Sequence, residues 1–314
     1  MFLASTLSDG VAVVTIERAH KANSLPQAAK AAVAAEVERW TRDAGADAIV
    51  LTGEGGQTFC AGSDINEMRF FGMAEMDRML VEERRMYLAV LSCPKPVVAA
   101  VNGFALGAGL ILAMSCDYTV AAPHAVFGAP ELTIGVAAPL EGLLLPYFVG
   151  LARARALFYT GARLSSEEAV AVGLVNEVAP ADGLIPRAVE VARAISGLPG
   201  SGFRVQKALL HRLLSTGDLE TVIRESHHLT ARQFAGPETG EAMRQFLDRR
   251  HGGATPKHTR PGGAEGLVAD ERQWLDDEAR HIEMRSAALA GEAAWHPADQ
   301  EPGEQGRAGA GSAP

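Results

Sequence analysis

Several things are scarce in this sequence, and each shortage closes off a class of function. Only 3 of the 314 residues are cysteine (Cys60, Cys93 and Cys116), and they have no metal-ligand spacing. They read as buried thiols of a reducing compartment. Basic side chains are outnumbered, 29 against 38 acidic ones, leaving a net charge of −9. A nucleic-acid surface needs a basic stripe, so none is expected. No apolar run reaches the roughly 18 residues of a membrane span. The opening MFLASTLSDG lacks the basic n-region of a signal peptide. The expectation is a soluble, cytoplasmic protein without a metal site, a membrane or a nucleic-acid partner.

Apolar residues, by contrast, make up 47% of the chain, enough for one large domain with appendages. VAVVTIE (11–17) is a β-branched run typical of a buried strand. ADAIVLTG, KPVVAAVNG and CDYTVAA give three more strands, the first two ending at Gly53 and Gly103. Helical stretches lie between them. The first, NSLPQAAKAAVAAEVERW, carries Asn23 or Ser24 as a candidate N-cap and Pro26 in its first turn. Strands alternating with helices predict an α/β fold, with ligand-binding loops at the strand ends.

From about Gly150 the pattern is mostly helical. After His251 the composition shifts to GGATPKHTRPGG, a linker, and the chain ends in PADQEPGEQGRAGAGSAP, which reads as disordered. The expected organisation is a core with the site over 1–195 and a helical region packing on another subunit over 196–252. The rest, 253–314, is expected to be a linker, one candidate helix and a tail. The chemistry is therefore sought upstream of the tail.

Two stretches stand out, TFCAGSDINEM (58–68) and GFALGAGLIL (103–112). Each is a small-residue turn leading from strand to helix, which leaves the first helical N–H groups without partners. Two such turns side by side can aim two N–H groups at one oxygen, an oxyanion hole worth roughly 2.7–4 kcal/mol per donor. The plainer alternative is that Gly62, Gly107 and Gly109 merely allow tight packing.

Here the residues carry a resemblance. FCAGSDINEM, KPVVAAVNGFALGAG, SCDYTVAAPHAVFGAPELTIGV and GLVNEV, in this order and spacing, resemble the crotonase (enoyl-CoA hydratase/isomerase) superfamily. VAVVTIERAHKANSL and ETGEAMRQFLDRR match its beginning and its last helix, so the likeness spans about residues 3 to 252. The resemblance implies an α/β spiral of ββα units, a C-terminal helical trimerisation region, and a homotrimer or dimer of trimers. It also implies a coenzyme A thioester as substrate, with no separate cofactor.

By position, the resemblance makes the N–H groups of Ala61 and Ala108 the donors that hold the thioester oxygen as it becomes an enolate. It places Ala22, Gly62, Ser63, Asp64, Ile65, Gly107 and Ile111 along the thioester and its coenzyme A. Arg249 or Arg250 matches a residue that meets the phosphate from a neighbouring subunit. Asp64 also reads as a helix cap. Hydratases of the superfamily use two glutamates. One matches Glu131 here, whereas the other falls on Ile111, which cannot ionise.

Water addition divides proton work between two acids, but a 1,3-proton shift needs one. The expectation is therefore an isomerase-type shift with Glu131 as its single acid–base group. Glu141 stands where the superfamily commonly has glycine. It could act as a displaced second acid, restoring hydration or enolate C–C chemistry, or simply begin a helix. A non-catalytic assembly subunit is the third possibility.

Overall fold

A computed structural model describes residues 2–137, 139–216, 239 and 241, without the side chains of 139–143 and 212–216. All of these belong to the first of two units, Met1–Ala264, into which the chain divides. The chain opens with a hairpin of β1 (Leu3–Ser8) and β2 (Val11–Ile16), whose register sets Ser8 opposite Val11. Asp9 and Gly10 form its two-residue loop with φ of 49° and 78°, the left-handed conformation that such a tight turn demands. Helix α1 (Gln27–Arg42) follows.

The next part repeats one theme three times. β3 (Ala48–Gly53) and β4 (Thr58–Cys60) lead into α2 (Ile65–Met68) and α3 (Met73–Leu91). β5 (Val97–Val101) and β6 (Phe104–Leu106) lead into α4 (Ala108–Met114). β7 (Tyr118–Ala121) and β8 (Val126–Gly128) lead, through a 3₁₀ turn at Glu131–Ile134, into α5 (Pro139–Val149) and α6 (Leu151–Thr160). β9 (Arg163–Ser165), α7 (Ser166–Ala171), β10 (Glu177–Val178), α8 (Leu184–Ser196) and α9 (Gly200–Thr216) complete the described order.

Each unit deals its first strand to a large sheet, ordered β1-β2-β3-β5-β7-β10, and its second to a small one, ordered β4-β6-β8-β9. Within both sheets the repeating strands run parallel. This is the α/β spiral of ββα units that the resemblance implies.

The middle strands of the large sheet, β3 and β5, are buried on both faces, which is why they read as unbroken apolar runs. Ile49, Leu51, Val97, Ala99 and Val101 face one way, into a core with Val33, Val37 and Trp40 of α1, Met86 and Val90 of α3, and Leu110 to Leu112 of α4. Ala48, Val50, Val98 and Ala100 face the other way, under Leu184, Ala188 and Val191 of α8.

The expected start of α1 is corrected. Pro26, not Asn23 or Ser24, is its cap residue. Asn23 sits instead in the left-handed region (φ 52°), fully buried. Its amide donates to the carbonyls of Glu54 (3.0 Å) and Thr58 (2.7 Å) and its Oδ1 accepts from Arg18 N–H (2.9 Å). That stitches the turn after β2 to the β3–β4 connection. Of the expected helical region at 196–252, α9 is described. Arg249, Arg250 and the tail from 253 lie outside the described residues.

Candidate active site

β4, β6 and β8 are adjacent parallel strands, so the turns that follow them open at the same edge of the small sheet. Those turns carry Gly62 and Ser63, Gly107 and Ala108, and Glu131. Their contacts are close. A Cβ on Gly62 would stand 2.9 Å from the Leu106 carbonyl oxygen and 3.4 Å from Ala108 N. A Cβ on Gly107 would run into the Glu131 carboxylate. Both positions also have positive φ, 97° and 53°, so glycine is required twice over. On Gly109 a Cβ would strike the Cys60 carbonyl, which lets α4 press directly onto β4.

The hydrogen bonds show which backbone N–H groups at these turns are already spent. Ala61 N–H donates to Ala22 O at 3.1 Å, so it is spent within the protein, and its expected place as an oxyanion donor is corrected. Two residues on, Ser63 bridges Leu25 in a parallel register. Leu25 N–H donates to Gly62 O (2.8 Å) and Asp64 N–H donates to Leu25 O (3.1 Å). In that pairing the N–H of Ser63 points away from Leu25, and it has no acceptor among the described residues. Ala108 opens α4, so its N–H has no acceptor within the helix. Ala22 lies at φ 51° with its own N–H given to Ala19 O (3.0 Å). One lone pair of its carbonyl is all its backbone keeps for a ligand.

Glu131 begins the 3₁₀ turn and is half-buried. Its Oε2 is fully enclosed without a hydrogen-bond partner among the described residues. Burial, aided by the nearby negative charge of Glu83, raises its pKa above the ordinary glutamate value, only partly offset by its own N–H. It is thus a carboxyl group poised to hold a proton, next to the two glycine turns. Ile111 is fully buried in the main core, so the second carboxylate of the two-glutamate pattern has no counterpart on α4. Glu141 lies on α5, and its side chain is outside the described residues.

Asp64 has the structural part its sequence position allowed. It caps α2, accepting Asn66 N–H (3.0 Å), and its other oxygen pairs with Arg18 at 3.0 Å. Burial works against its ionised form, but the Arg18 and Asn66 bonds outweigh that and hold its pKa below the usual value. Ile65 is exposed at the start of α2. Cys60 is buried and pushed up to about 12 by desolvation, a thiol rather than a nucleophile. The described residues contain no group of three or more His, Cys, Asp or Glu arranged to hold a metal ion.

Comparison with known proteins decides the family. Its enoyl-CoA hydratase/isomerase model matches residues 6–253. The chain belongs to the enoyl-CoA hydratase/isomerase family. Relatives in this family include a short-chain-enoyl-CoA hydratase of Clostridium acetobutylicum and a crotonyl-CoA hydratase of Syntrophomonas wolfei. Each is 32% identical over 241 residues, 76% of this chain and 92% of the relative. Solved structures agree. An enoyl-CoA hydratase of Bacillus anthracis superposes with a TM-score of 0.73 at 28% identity, covering 82% of this chain and 99% of its own. One from Mycobacterium smegmatis reaches 0.75 at 28%, with the same coverage.

Sequence reasoning missed two charged residues at this site. Lys30 of α1 is fully buried, and its Nζ is paired with Glu83 of α3. The signal was there. Lys30 is in helical register with buried Val33, Ala34 and Val37, and Glu83 with Met79, Met86, Tyr87 and Val90. A charge on an apolar stripe is a departure that periodicity can detect.

Proposed function

We propose that this member of the acyl-CoA-processing family catalyses proton transfer at the α carbon of an enoyl-CoA thioester. Ser63 and Ala108 N–H hold the thioester oxygen as it gains charge, and Glu131 moves the proton. The observation that carries this is the Glu131 carboxyl group, desolvated and unpartnered on Oε2, beside the turn that presents Ala108 N–H. Glu131 takes a proton from C2 of a 3-enoyl thioester, the electrons spread over the dienolate, and the same carboxyl returns the proton to C4. That is an isomerase-type shift, and it needs no second acid where Ile111 stands.

E131Q is expected to lower turnover of a 3-enoyl-CoA by about 10²-fold or more, with thioester binding by calorimetry retained. Turnover near that of the wild type would remove the assignment.

A second reading, water addition to a 2-enoyl-CoA, is favoured by the hydratase names of the relatives. It needs a further carboxylate, and Glu141 is the candidate. If E141A loses water addition but keeps the double-bond shift, the second reading holds. If it loses neither, Glu141 has no part in the chemistry.

A further inference from the structure

Lys30 heads the largest fully buried side chains of the described residues. A buried ion pair is weak evidence for stability, since apolar residues of similar volume often replace one at no loss. Stability alone therefore does not account for the pair, and its contacts supply another reason. Lys30 Nζ bonds Glu83 Oε2 and donates to Ser63 Oγ at 2.7 Å. The Ser63 hydroxyl in turn donates to Glu83 Oε2 at 3.2 Å. The side chain of Ser63 is therefore held from two helices, α1 and α3, while its N–H is left free of any described acceptor.

One turn further along α3, the Tyr87 hydroxyl donates to Ala108 O at 3.3 Å. Glu83 and Tyr87, four residues apart, lie on one stripe of α3. That single stripe touches both residues whose N–H groups face the thioester in the reading above.

We propose that Lys30, Glu83 and Tyr87 are positioning residues: α3 acts as a jig that sets the Ser63 and Ala108 donors, with Lys30 as the counter-ion that keeps Glu83 in place. The inference rests on those two residues being the oxyanion donors. None of the three moves a proton in the reaction, and each acts through the residue it holds.

The test uses the whole chain and a conjugated enoyl-CoA thioester whose absorption moves to longer wavelength when its carbonyl is polarised. K30M leaves Glu83 buried without its counter-charge and can fail to fold, so the informative variant is K30M/E83M, which removes both charges at similar volume. Its melting temperature is expected to hold or rise. The red-shift of the bound thioester is expected to shrink, and kcat to fall about tenfold, less than the 10²–10³ that follows deletion of a whole donor, with KM within about threefold.

S63A, which keeps the N–H but loses the hydroxyl, should reproduce the loss, and adding it to K30M/E83M should cost nothing more. Y87F should show a smaller loss of the same kind. Folded variants with unchanged red-shift and kcat would overturn the positioning role while leaving the function standing. A wild type that binds the thioester without any red-shift would overturn the donor assignment and, with it, this inference.

Discussion

The Glu131 carboxyl group gives up hydration where it sits, and its Oε2 gains no hydrogen bond in return. Its pKa in the folded chain therefore lies above that in the unfolded chain. An acid raised in this way favours folding below its unfolded pKa, and that contribution fades as pH climbs through the raised value. At neutral pH the ionised form thus works against the fold. E131Q should melt at a higher temperature than the wild type at pH 7, the gain narrowing as pH falls toward the ordinary glutamate range. Thermal melts across that range check it, and earlier melting at pH 7 would mean that the carboxylate has a stabilising partner. Gly107 is the matching backbone case. G107A forces a Cβ into φ 53° and into the Glu131 carboxylate. A loss of about 1–3 kcal/mol from the strained backbone alone is expected in urea unfolding, together with loss of turnover.

Among the elements, the turn between β4 and α2 depends on Arg18, whose guanidinium reaches across to Asp64 and to Ser24. R18M should destabilise the chain by about 1.5–3 kcal/mol, the range for a hydrogen bond to a charged group. Asp64, with its pKa lowered, favours folding above its unfolded pKa and loses that contribution as pH falls through the folded value. Stability curves between pH 6 and 3 should therefore be flatter in R18M than in the wild type.

The same elements show what could be read from the chain. The long strands β2, β3, β5 and β7 were legible because both faces of their sheet are apolar. β4, β6 and β8, three residues each, were not, since so short a run has no period to measure. Yet Gly62 and Gly107 stood out by glycine spacing without a visible strand, and Glu131 was reached through the family resemblance. Ala61 was misassigned because sequence position says nothing of where an N–H points; only the Ala22 carbonyl settles that. Asp-Gly at 9–10 is the hairpin signal that joins β1 to β2.

At the scale of the molecule, a largely buried contact fastens α9 to the core. Lys207 Nζ pairs with Asp117 Oδ2 at 2.7 Å and donates to Val90 O at 3.3 Å. Asp117 Oδ2 also accepts Val97 N–H at 2.8 Å, so the pair joins α9 to the start of β5 and the edge of β7. K207M strands a buried carboxylate and should cost about 3–5 kcal/mol in chemical denaturation. A loss under about 1 kcal/mol would place the pair among exposed bridges.

The small sheet sets a wider limit. Neighbouring strands in any sheet stand about 4.8 Å apart, and three consecutive ones deliver Ser63, Ala108 and Glu131. In the proposed reaction, the spacing between the two donors and the carboxyl group is thus set by the ladder of main-chain bonds rather than by any one side chain. A different reaction on this frame would then come from changing which side chain occupies a fixed station, such as position 111, not from moving the stations themselves.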